Sequence, residues 1–122
     1  MNKDDSVATT RAVRQAKRWY WQRISAMGLG AFVLVHLAGM IYAVRGGLSA
    51  AEILARTQGN WGVGAFYAAF VVACAIHVPV GLANIAREWW GIGEASAYWL
   101  SQAFAALLLA MGLRAVFAVV AA

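Results

Sequence analysis

Three long apolar stretches dominate the chain, over about 24–44, 61–86 and 96–120. Each is long enough for a helix that crosses a hydrocarbon layer of about 30 Å, for which about 20 residues suffice. Polar residues collect before and between them. Residues 1–21 are polar and basic, Arg45 with Gly46 and Gly47 closes the first stretch, and Arg87, Glu88, Gly91 and Gly93 follow the second. The pattern predicts an all-α fold, an integral membrane anchor of three transmembrane helices forming a single membrane domain over residues 1–122. Trp19, Tyr20, Trp21, Tyr42, Tyr98 and Trp99 flank the stretches, where aromatic rings favour the membrane interface. Between the first two spans, residues 48–56 have the spacing of a short surface helix. At the N-terminus, residues 1–8 read as solvated disorder. Residues from about 11 to 23 read as an amphipathic helix, on the membrane surface or against a cytoplasmic partner.

Composition narrows the class. Of 122 residues, 63% are hydrophobic and 12% charged, against roughly 45–50% and about 25% in soluble domains. A soluble enzyme core is excluded, and three crossings leave no length for a second folded domain. The formal net charge is +5, with Lys3, Arg11, Arg14, Lys17, Arg18 and Arg23 all preceding the first span. That bias predicts a cytoplasmic N-terminus, an outside C-terminus and a multi-pass protein of the cell inner membrane; it is a topology signal rather than a nucleic-acid site. The first apolar stretch is of spanning length, unlike the short core of a cleavable signal peptide. Cys74 is the one cysteine, so intrachain disulfides and thiolate cages are excluded; it reads as a small packing residue.

Few strongly polar side chains lie within the spans: His36, then His77 and Asn84, then Gln102 and Arg114. The absence of Asp and Glu there weighs against a proton-coupled transporter. Neutral imidazole is a good iron ligand, and an electron-transfer haem of type b takes two axial ligands. Counted from Arg23 and Arg87 at about 1.5 Å per residue, His36 and His77 lie about 20 Å and 15 Å from the cytoplasmic boundary, at broadly similar depths. Gly39 and Gly81, about one turn beyond each histidine, offer clearance for a macrocycle, and Pro79 is expected to bend the second span. The competing reading is that the histidines hydrogen-bond between packed helices and the glycines allow close approach. Arg23, beside Ser25 and the cluster at Trp19, suits a haem propionate or a quinone carbonyl; its alternative is topology anchoring by snorkelling. Arg114 is expected to snorkel outward.

The run His77-Val78-Pro79-Val80-Gly81-Leu82-Ala83-Asn84-Ile85-Ala86-Arg87-Glu88 resembles a second-span pattern. That pattern belongs to the cytochrome b membrane-anchor subunits of succinate dehydrogenase, relatives of the fumarate reductase anchors. Gln22-Arg23-Ile24-Ser25 is similar to the family's His-Arg-x-Ser-Gly motif, with Gln22 in place of His and Ala26 in place of Gly. The resemblance covers about residues 19 to 121. It implies that His77 is an axial ligand of haem b, that Arg23 lies near the quinone pocket and a propionate, and that Ser25 borders that pocket. It also implies electron transfer to membrane quinone from partner flavoprotein and iron–sulfur subunits. Those partners would hold the FAD, the clusters and the succinate-oxidising site, leaving this chain as a non-catalytic or quinone-site subunit. The second haem ligand would come from a second anchor subunit, from another copy of the chain, or from His36, since related two-haem anchors carry a first-span histidine. Alternatives are a cytochrome b anchor of another dehydrogenase, a haem-free membrane scaffold or a small transporter.

Overall fold

The computed structural model describes residues 2–121, and those residues form four helices: α1 (Lys3–Gly46), α2 (Ala50–Thr57), α3 (Trp61–Trp90) and α4 (Glu94–Val120). Of these, α1, α3 and α4 are long and apolar enough to cross a membrane. Local chemistry sets their ends. Ser49 and Glu52 form a capping box at the start of α2, Asn60 Oδ1 accepts from the Val63 N–H at 3.2 Å, and Gly91 ends α3 at φ +62°. The short surface helix expected over 48–56 is therefore present as α2. The helix α3 continues through the buried Pro79.

The N-terminal segment differs from expectation. Residues 3–8 are helical rather than disordered, and α1 runs as one helix of 44 residues, about 66 Å, through to the apolar stretch. Asn2 caps it: its Oδ1 accepts from the Lys3 N–H at 2.9 Å, and the Asp5 carboxylate accepts from the Asn2 N–H at 3.4 Å. Asp4 and Asp5 also place negative charge on the positive end of the helix dipole. The hydroxyls of Ser6, Thr9 and Thr10 donate to carbonyls three or four residues back, so this polar stretch satisfies its side chains within the helix. The basic residues before the first span thus lie on the same helix as the span itself.

Packing centres on α3, which meets α4 extensively and α1 over a shorter length. Small residues make this contact. A β-carbon on Gly112 would lie 2.5 Å from Val71 Cγ1, and one on Gly64 would lie 3.3 Å from Val120 Cγ2, so α3 and α4 approach where side chains are missing. Ser25, Ala86, Ala97, Ser101 and Ala105 are buried, whereas Leu34, Met111, Phe117 and many other large apolar residues are exposed. That inversion fits a bundle whose outer surface meets lipid. The connection through α2 is tied to the end of α4 by Thr57 Oγ1 donating to the Val119 carbonyl at 2.9 Å and Gly59 N–H donating to the Val120 carbonyl at 2.8 Å.

Candidate functional site

Both histidines bridge α1 and α3 through Nδ1. The Oγ of Ser25 lies 3.1 Å from His77 Nδ1 and 3.1 Å from the Gln22 carbonyl oxygen. A serine has one hydroxyl proton, and a carbonyl can only accept. That proton goes either to the Gln22 carbonyl or to His77 Nδ1. With the ring proton on Nδ1, Ser25 donates to Gln22, accepts from His77 and leaves Nε2 as the lone pair that a metal requires; with the ring proton on Nε2, Ser25 donates to Nδ1. Ser25 is 7% exposed, which protects this arrangement from water, while His77 itself is half-buried. These two residues, both expected at the site, are brought together.

His36 has a different environment. Its Nδ1 lies 2.9 Å from the Tyr67 hydroxyl, and its ring stacks on Phe70 with centroids 6.1 Å apart. Phe32 packs edge-on against Phe66 and Phe70 beside it. The Tyr67 hydroxyl was not among the polar groups counted in the spans, because an interfacial aromatic is read first as an apolar body; its position within the second span is the signal that was available.

The two histidines are not at the same depth. Ser25 stands opposite His77 and His36 opposite Tyr67; along either helix these positions are ten or eleven residues apart, about 15–16 Å. One iron held between two imidazoles of the same chain is incompatible with that offset. The expectation of similar depth assumed that Arg23 and Arg87 mark one level. Arg87 instead lies level with about residue 15 of α1, and both Gln15 and Arg87 line the same cleft.

That cleft, of about 410 Å³, opens between α1, α3 and α4 at the end of the bundle that carries the N-terminus. Arg18, Trp19 and Gln22 line it from α1, Asn84 and Arg87 from α3, and Glu94, Tyr98 and Gln102 from α4. Arg23 does not line it; it is exposed, with its guanidinium 5.2 Å from the Trp19 ring centre. Gln22 has a buried Oε1 without a hydrogen-bond partner. A β-carbon on Gly81 would lie 3.7 Å from Gln22 Nε2, so Gly81 faces the α1 contact, whereas a β-carbon on Gly39 would meet nothing within 4 Å. Among the described residues no three His, Cys, Asp or Glu side chains gather, so no bare-ion cage of that kind forms in this part of the chain.

No family model, curated protein or solved structure matches the chain.

Proposed function

We propose that the chain is a haem b-binding membrane-anchor subunit of a succinate dehydrogenase-like respiratory complex. In this role it helps to pass electrons from soluble flavin and iron–sulfur subunits to membrane quinone. The observation that carries this reading is the Ser25–His77 pair, which ties down Nδ1 of the ring and, in the tautomer with the proton on Nδ1, leaves Nε2 free for a metal. Haem b would supply a one-electron carrier there. His77 would hold the iron, Ser25 would fix the plane of its ring, and a further ligand would come from a partner chain, since His36 lies about 15 Å away along the bundle. Any haem on His36 is a separate one.

Orientation and docking belong to the same proposal. The N-terminus is cytoplasmic in the inner membrane, on the strength of the six basic residues before the apolar part of α1. The start of α1 overhangs the end of α3 by about 13 Å, judged from the Ser25–His77 register. Arg11, Arg14 and Arg18 fall on the helical face that also carries Ser25, a basic stripe suited to an acidic surface on the soluble partners.

Purification of the intact complex tests this reading. A reduced-minus-oxidised spectrum of type b is expected, and His77→Ala should abolish it; full retention of the spectrum in that variant overturns the assignment. The co-purifying subunits distinguish a succinate dehydrogenase anchor from that of another dehydrogenase. A second reading, a haem-free scaffold, is favoured by the fact that both histidines already hydrogen-bond between helices; absence of any haem spectrum from the intact complex would establish it.

A further inference from the structure

We infer that the face of α4 turned away from α3 docks a transmembrane helix of a different polypeptide, one that carries an aspartate or glutamate near mid-membrane, and that Arg114 recognises it. The inference needs only the membrane spans and is independent of haem. The depth of Arg114 carries it. A β-carbon on Gly112 would meet Val71, so Arg114, two residues on, is level with about Ala69 of α3. Trp61 lies eight residues further along α3, about 12 Å, and the His36–Tyr67 register brings Tyr42 to the same level as Trp61. Those two aromatics mark one interface. In a hydrocarbon layer of about 30 Å, Arg114 therefore sits near the middle.

Arg114 is exposed, and among the described residues it has no hydrogen-bond, ion-pair or ring partner. Arginine keeps its charge in proteins, and a charge at this depth is costly unless paired. The outward snorkel expected of it works against the helix. Cα–Cβ bonds tilt towards a helix N-terminus, and α4 starts at the end of the bundle opposite Trp61. The side chain thus leaves the backbone towards the middle of the layer, away from the nearer surface. Ala103, Leu107, Ala110, Arg114 and Phe117, spaced by four and three residues in turn, form an exposed seam of the kind that packs against another helix.

Charge selects the occupant. The five acidic residues of the chain are Asp4, Asp5, Glu52, Glu88 and Glu94, all outside the apolar stretches. A second copy has no carboxylate to offer at this depth, and a two-fold contact through this face would set Arg114 against its like. A carboxylate on a different transmembrane chain accepts two parallel N–H bonds from the guanidinium and balances its charge where water does not reach.

Photocrosslinking in intact membranes tests this. p-Benzoylphenylalanine replaces Ala110 or, separately, Phe117, one turn to either side of Arg114, and the irradiated adduct is sequenced by mass spectrometry. The expected adduct joins this chain to an apolar segment of a different polypeptide with Asp or Glu within one turn of the attachment point. Arg114→Leu in the same background should lower the adduct yield about tenfold or more at unchanged chain content in the membrane, and Arg114→Lys should keep part of it. If Arg114→Leu does not accumulate, an exchange of charges decides: Arg114→Asp, combined with a change of the partner's acidic residue to arginine, should restore the adduct, and no restoration overturns the inference. Adducts only with lipid, with another copy of this chain or with a segment lacking an acidic residue also overturn it, as does a yield indifferent to Arg114. The type-b spectrum plays no part in these measurements, so the anchor reading and this inference fail separately.

Discussion

Ser25 on α1 meets the imidazole of His77 on α3, Oγ to Nδ1 at 3.1 Å, and the same Oγ lies 3.1 Å from the Gln22 carbonyl oxygen. The position of Nε2 depends on that one hydroxyl. Removing a hydrogen-bond partner behind a metal ligand typically costs about 10–100-fold in metal affinity. If the chain binds haem b as proposed, Ser25→Ala should accordingly lower haem retention by that order without abolishing binding, and Ser25→Thr should restore part of it. Haem loss during dialysis against a haem acceptor, followed in the type-b bands, measures the effect. Equal retention in wild type and Ser25→Ala would remove Ser25 from the site.

Gly112 sets how closely α4 approaches α3. A β-carbon there would fall 2.5 Å from Val71 Cγ1 and 2.8 Å from Cγ2, and valine, stiff about χ1, has little room to turn away. Gly112→Val is expected to destabilise the bundle by about 1–3 kcal/mol, as overpacking generally does. Val71→Ala in the same chain should recover much of the loss, which makes the pair a double-variant cycle. Thermal unfolding in detergent reads all four combinations.

The spans were readable because length and hydropathy alone decide them: predicted ranges of 61–86 and 96–120 fall inside α3 (Trp61–Trp90) and α4 (Glu94–Val120). The short helix α2 was readable from spacing, and its Ser49–Glu52 box explains its start. The continuity of α1 was not readable from polarity, which changes along the helix while its backbone does not; the cap by Asn2 and the inward-turned hydroxyls of Ser6, Thr9 and Thr10 decide it. Depth failed for a related reason. Charged boundaries count residues from where each helix leaves the lipid, whereas the register of α1 on α3 follows from contacts such as Ser25 with His77 and Tyr67 with His36. Gln22 stood out only as a departure from the His-Arg-x-Ser pattern, and its unpartnered amide exists only in the folded bundle.

Glu52 makes the connection between α1 and α3 sensitive to acid. Hydrogen bonds from the Ser49 hydroxyl and then the Ser49 N–H hold its carboxyl below the ordinary value, outweighing the opposing effect of desolvation, with the charge of Arg56 adding the smallest pull. A folded value below the unfolded one means that the capping contribution is complete above the unfolded value, about 4.3, and fades as pH falls through the folded value. The start of α2 should therefore fray below about pH 4, and Glu52→Gln should remove the pH dependence while weakening the cap at neutral pH. Backbone chemical shifts over residues 49–53 follow both effects. An acid response that persists unchanged in Glu52→Gln would assign it to another group.

His36 and His77 lie at separate levels of the bundle, ten or eleven residues apart, about 15–16 Å. On the haem b reading proposed above, His36→Leu is expected to leave the spectrum of a haem on His77 intact, whereas a haem clamped between the two would be lost. The His36–Tyr67 hydrogen bond, 2.9 Å long, joins α1 to α3, and interhelical bonds of this kind in membranes average about 0.6 kcal/mol and reach about 1.7. Tyr67→Phe should cost a loss of that size in detergent unfolding. Because His36→Leu breaks the same bond, the two substitutions together should cost less than their separate losses added. Full additivity would mean that the pair contributes no coupling, and loss of the His77 haem in His36→Leu would return the internal pair of ligands.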